Sequence, residues 1–263
     1  MKRIFSVAIL PLLVFLLASC AYRPRVIYHA GDETPPEFLA GPLSVLLTNL
    51  DGFSASASAS APARNGKPEL LTGDLLEREG RLIFQPATGV KGRHKRSEGG
   101  LFFIWHKDRN AGFVLSDPLQ AYAPVVSNIN VTNIVWNTSG AVEEQANGHA
   151  CRRVEAVVQS DDGSTARYAV WQAEDLKRCP VRIVSAGGAK AMTLNLLNVR
   201  LELPAPELFY PPEGFTKYET PATLMNELIM RQSAFVKSQN IAPGEGEPVP
   251  AVGPAQYRQP TPQ

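Results

Sequence analysis

Histidine, cysteine and paired carboxylates carry most of the acid–base, nucleophilic and metal chemistry open to a protein, and in this chain of 263 residues they are sparse. The four histidines, His29, His94, His106 and His149, are scattered along the sequence. His106 follows a dense apolar run with Asp108 close by, but a base without a nucleophile is not a catalytic arrangement. Asp161 and Asp162 fall in Asp-Asp-Gly-Ser, which reads as a solvated turn. There is no G-x-S-x-G elbow, no Gly-rich phosphate loop and no H-E-x-x-H. Lys91, Arg93, His94, Lys95 and Arg96 crowd six positions. They form either a solvated loop or, beside a membrane, a surface for anionic headgroups. The inventory predicts no enzyme, no metal site and no cofactor.

The chain start gives cysteine a different role. Lys2 and Arg3 precede an apolar run, Ile4 to Ala18, of about 15 residues. That is short for a spanning helix and right for the core of a secretion signal. It ends in Leu17-Ala18-Ser19-Cys20, which resembles the lipobox of bacterial lipoproteins. The resemblance implies cleavage after residue 19 and acylation of Cys20, and several acyl chains make a stable anchor. Ala21 rather than Asp follows, which favours the periplasmic face of the outer membrane. With Cys20 committed to lipid, Cys151 and Cys179 are an even pair in an oxidising compartment and predict a disulfide. Closing that loop of about 29 residues would contribute roughly 3 kcal/mol. A metal site at the pair would want a CxxC or further histidines, and only His149 lies close.

Loss of residues 1–19 removes two basic residues from 26, against 25 acidic ones, so the mature chain is close to neutral. A neutral surface argues against nucleic acid as a partner. Residues 20–37 are polar and Pro-rich and read as a tether. Leu43, Leu46, Leu47 and Leu50 make a helical stripe that ends at Asp51-Gly52, with Pro42 at its start. The run Phe53 to Ala61 opens on Phe53 and then alternates Ser and Ala without exception. Propensity does not decide between strand and linker, but its place between a helix and an apolar hairpin favours a strand that something approaches closely.

Strands at hairpin spacing follow. Glu69–Glu77 and Arg81–Gln85 turn at Glu79-Gly80, and Leu101–His106, Gly112–Ser116 and Gln120–Val125 come next. After a Val/Ile/Asn-rich middle, Ala150–Ser160 pairs with Thr165–Ala173, and Val181–Ala186 with Ala191–Leu203. The fold class is therefore mainly β (α+β), a curved antiparallel sheet or half-barrel of ten to eleven strands with a few covering helices, over residues 38–218. Thr220-Pro221 opens a helix over 219–241 that packs on this domain through Leu224, Met225, Leu228, Ile229, Phe235 and Val236. Residues 242–263 are a disordered Pro-rich tail.

Five segments carry a likeness. "LLTNLDGFSA", "GDLLEREGRLIF", "FVLSDPLQAYAP", "ARYAVWQAEDLKRCPVRI" and "NVRLELPAPELFYPPEGF" together resemble the LolA/LolB-like lipoprotein carriers of the bacterial envelope. The resemblance implies a half-barrel whose concave face, plugged by helices, shelters acyl chains. A lipid-anchored envelope lipoprotein binding a lipid or acyl ligand is thus expected. The alternative is a structural or interaction lipoprotein that meets other envelope proteins and holds no small ligand.

Overall fold

The computed structural model describes residues 30–48, 50–62, 68–87, 100–187 and 191–240. The lipobox, Cys20, His29, the basic loop with His94, and the Pro-rich tail lie outside them. The protein is mostly β, with one large open curved sheet of twelve strands and few helices. The strands are β1 (Gly52–Pro62), β2 (Pro68–Arg78), β3 (Arg81–Pro86), β4 (Leu101–His106), β5 (Ala111–Ser116) and β6 (Ala121–Val126). They continue with β7 (Val131–Ala146), β8 (His149–Ser160), β9 (Thr165–Ala173), β10 (Cys179–Ser185), β11 (Thr193–Arg200) and β12 (Thr216–Lys217).

Two meanders flank β1. The first runs outward from β1 through β2 to β6. The chain then crosses to the far edge and returns through β7 to β11, which pairs antiparallel with the other side of β1. Only four residues, Ser127–Asn130, link β6 to β7. Five peptide steps reach at most about 17 Å, so the sheet must curl until its two margins approach one another at that end. Asn110 helps to hold the closure from a left-handed conformation (φ 45°). Its Nδ2 donates to the carbonyls of Ser127 (3.1 Å) and Ile129 (2.9 Å) and to Asn130 Oδ1 (2.8 Å). Asn130 Nδ2 in turn donates to Asp161 Oδ2 (2.7 Å) in the β8–β9 turn. At the opposite end of β6, the two residues of β12 add a short parallel pairing.

The Ser/Ala run is a strand. Ala55, Ala57 and Ala59 are buried on the concave face, while Ser56, Ser58 and Ser60 are half-buried on the other. Gly73 stands directly opposite Ala57 because a Cβ there would lie 2.2 Å from the Gln85 carbonyl oxygen. Alanine and glycine thus give the middle of the sheet its thinnest lining.

Among the described residues three α-helices cover that face: α1 (Glu37–Ala40), α2 (Ser44–Leu47) and α3 (Pro221–Asn240). The single leucine-striped helix expected from the sequence is broken into α1 and α2. Pro42 cannot donate a helical hydrogen bond and forces the residue before it out of the α region, and Gly41 is extended (φ −99°, ψ −175°). Phe38 of α1 meets Phe84 of β3 edge to face at 5.0 Å. The α3 helix packs beside β6 and buries Leu224, Met225 and Leu228. Thr220 caps it, its Oγ1 accepting from the Thr223 amide at 3.1 Å.

Candidate functional site

The concave face is apolar along nearly its whole length. Phe53, Leu75, Leu82, Phe84, Phe103 and Trp105 line it on the β1–β5 side. Leu194, Leu196, Ile183, Val170, Val154 and Ala156 line it on the other. Against this surface sit Phe38 and Leu39 of α1, Leu43, and Val45, Leu46 and Leu47 of α2, all buried in the same cluster. The protein's own chain therefore already occupies the groove. It does so with two four-residue helices, neither of which has a side-chain cap. Helices this short have almost no stability of their own and are held by packing alone.

Hollows border α2 on both sides. A cleft of about 850 Å³ opens beside Val45 and Thr48, and its walls include Gly80, Trp105, Lys107 and Ile134. A second hollow of about 380 Å³ lies beside Leu46 and Leu50 and reaches Trp136 and Pro180. Between them, α2 packs against β10 of the sheet. The mouth is mixed in polarity, with Lys107 and Arg109 against Asp108 and Glu79.

One acidic group lies within the apolar face. Glu77 sits on β2 between Phe53 of β1 and Leu82 of β3 and is fully buried. Its Oε1 accepts from the Gly80 amide at 3.0 Å, and its Oε2 has no hydrogen-bond partner among the described residues. Burial pushes its carboxyl up to about 7, against smaller opposing effects of the Gly80 amide and Lys107. The sequence does carry a signal for it, because Glu77 is in phase with the concave Leu75 along β2. Asn110, Asn130 and Asp161 show no comparable signal, since turn residues of these types are solvated in most settings. The Asn130 hydrogen bonds hold the Asp161 carboxyl below the usual range.

The expected Cys151–Cys179 disulfide is not formed, and both thiols are free and buried. Cys151 on β8 and Cys179 on β10 stand opposite the same residue, Ala173, from either side of β9. Two strand spacings separate their Cα atoms by about 10 Å, beyond the reach of a bridge. Burial raises both thiol pKa values, that of Cys179 to about 12, so neither is a ready thiolate.

The described histidines are engaged structurally. His106 Nε2 donates to the Phe209 carbonyl at 2.8 Å, securing the Pro206–Phe209 turn on the convex face. His149 Nδ1 lies 2.8 Å from Asp175 Oδ2 at the surface. Cys151 Sγ points to the His149 carbonyl oxygen, not to its ring. Among the described residues no three His, Cys, Asp or Glu side chains group as a metal site would require. None of the described helices is long and apolar enough to cross a membrane.

No protein-family model matches the chain, and no curated protein matches it in sequence. Solved structures similar to it include a LolA superfamily protein from Nitrosomonas europaea, at 10% identity and a TM-score of 0.41, covering 64% of this chain and 94% of that one. The Mycobacterium tuberculosis lipoprotein LppX is similar at 15% identity and a TM-score of 0.31, with 59% and 92% covered. PNGF-II is similar at 9% identity and a TM-score of 0.37, with 68% of this chain covered and 33% of that one. The chain thus spans about a third of the length of PNGF-II. Likeness at these scores carries no activity, ligand or partner across.

Proposed function

We propose that the chain is an envelope lipoprotein, anchored through acylated Cys20 on the periplasmic face of the outer membrane, whose concave face takes up a lipid acyl chain alongside α2. The observation that carries this reading is the placing of α2, a four-residue plug with a hollow on either side and apolar sheet beneath. An acyl chain entering beside Trp105 or Trp136 would replace contacts made by Val45, Leu46 and Leu47. Each buried CH₂ contributes about 0.8 kcal/mol and each buried Val or Leu about 1.5–3 kcal/mol, so roughly ten buried carbons would offset displacing this helical turn. The charged mouth around Lys107 and Arg109 suits a polar headgroup left outside.

A second reading has its own support. Phe38, Leu39, Leu46 and Leu47 are already fully buried, so the groove is filled by the chain itself. On that reading the protein is an interaction lipoprotein that meets other envelope proteins through its surface. Native mass spectrometry of the protein extracted from the envelope separates the two. Stoichiometric co-purifying phospholipid or acyl species supports the first reading. A bare protein mass that stays unchanged after incubation with phospholipid vesicles leaves the second.

A further inference from the structure

The far edge of the sheet is unguarded. At the other margin β6 is flanked by β12 and packed by α3, whereas β7 ends the sheet with nothing paired to its outer side among the described residues. Exposed edge strands are commonly protected by lysine, proline or charge. From Val131 to Val142, β7 contains no charged residue and no proline. Val135 and Val142 are about half exposed there. Such an edge is a template for another strand.

The order of residues on β7 says which strand fits. Thr132-Asn133-Ile134-Val135-Trp136-Asn137-Thr138 has the same character read in either direction from Val135. From Asn133 to Asn137 its pairing with β8 is regular, with register breaks on either side. We propose that β7 is a self-pairing edge, on which two copies of the chain join antiparallel about a two-fold axis at Val135. Asn133 then faces Asn137 of the second copy, Ile134 faces its Trp136, and the two Val135 side chains meet. Aromatic to β-branched pairs are among the favourable cross-strand combinations, and no like charges oppose one another. Ile134 and Trp136 belong to the concave apolar lining, so their cross-pairing would carry that lining into the second subunit. A five-residue edge contact falls well short of the roughly 1,200 Å² of a stable interface, so association is weak and rises with concentration.

The test is cysteine cross-linking of the purified full chain in detergent. In this register the two Val135 Cβ atoms lie about 5 Å apart, so Val135→Cys should form a covalent dimer under mild oxidation. Asn133→Cys alone should not, because four residues of offset put its two copies more than about 13 Å apart. A mixture of Asn133→Cys and Asn137→Cys chains should cross-link, and adding Val135→Lys to both should abolish the product while leaving the far-ultraviolet circular dichroism unchanged. The proposal is overturned if Val135→Cys gives no dimer at any concentration. It is also overturned if Val142→Cys, exposed but outside the register, dimerises as well as Val135→Cys. Cross-linking of Val135→Cys to a different envelope protein in whole cells, with no homodimer, would overturn self-pairing and give the edge to that partner.

Discussion

The two meanders are built from similar strands and end in different physical states. In the first, β4 is buried at all six positions, because its convex face is covered as fully as its concave one. Ile83, Ile104, Leu115 and Phe102 pack there under Phe209, and His106 and Arg78 fasten the covering segment through the carbonyls of Phe209 and Pro204. In the second meander the convex face is covered only in part, by a small cluster of Cys151, Trp171, Ala173 and Val181. Trp171 is held between the guanidinium groups of Arg153 and Arg182, and its Nε1 donates to Glu144 at 2.8 Å. The strand β7 is exposed at most positions, with half-buried ones at irregular intervals, and nothing pairs with its outer side among the described residues. Double-sided burial makes the first meander a fixed wall. The smaller convex cover of the second leaves it as the side on which α2, its hollows and the outer edge of β7 can respond to a ligand or another chain.

The sharpest way to break that contrast is to remove one tryptophan from each half. Trp105→Ala in the wall should cost about 3–5 kcal/mol, whereas Trp136→Ala, half-buried beside a hollow, should cost clearly less. Urea midpoints of the two variants measure this, and equal losses would erase the distinction. Glu77 comes next. Its folded pKa of about 7 lies above the unfolded value near 4.5, so the folded state retains a proton that the unfolded chain releases. Stability from this group is complete below about pH 4.5 and falls as pH rises through about 7, by on the order of 3 kcal/mol. Glu77→Gln should therefore match the parent near pH 4.5 and exceed it at pH 8, read from melting curves at the two pH values.

Smaller effects should follow at the margins of each half. Thr220→Ala removes the cap of α3 and should cost about 1 kcal/mol, with amide exchange rising first at the start of that helix. Asp161→Ala loosens the link between the β8–β9 turn and the crossover. Its bonds are exposed, so global stability should drop by less than about 1 kcal/mol. Exchange should nonetheless quicken at the amides of Asn130 and Asp161 before any change in the wall, and an unchanged pattern would show that the clasp does not hold the closure.

Much of this fold was legible from alternation and turns. The alanine face of β1 followed from period-two spacing, and the Glu79-Gly80 turn is where the sequence places it, with both residues at positive φ. The strand β7 escaped because an exposed edge strand alternates weakly. Asn147-Gly148, a strong hairpin signal that closes β7 onto β8, stood in plain view at its end. The two residues of β12 have no pattern that a sequence could display. The leucine stripe across α1 and α2 was correct as a buried face but wrong as one helix, because Pro42 weighed more than periodicity. Cys151 and Cys179 looked like a pair by count, whereas register puts a whole strand between them. The hollows beside α2 had no sequence signal, since they arise from how the sheet curls.

The protein's three tryptophans allow a direct test of acyl binding on the concave face. Trp105 and Trp136 border the two hollows beside α2, and Trp171 lies on the convex side. In three variants that each keep one tryptophan and carry phenylalanine at the other two, the fluorescence should be titrated with a brominated phospholipid. Binding beside α2 predicts saturable quenching of Trp136 and Trp105, with Trp171 unaffected. Quenching of Trp171 alone, or of none of the three, would contradict it.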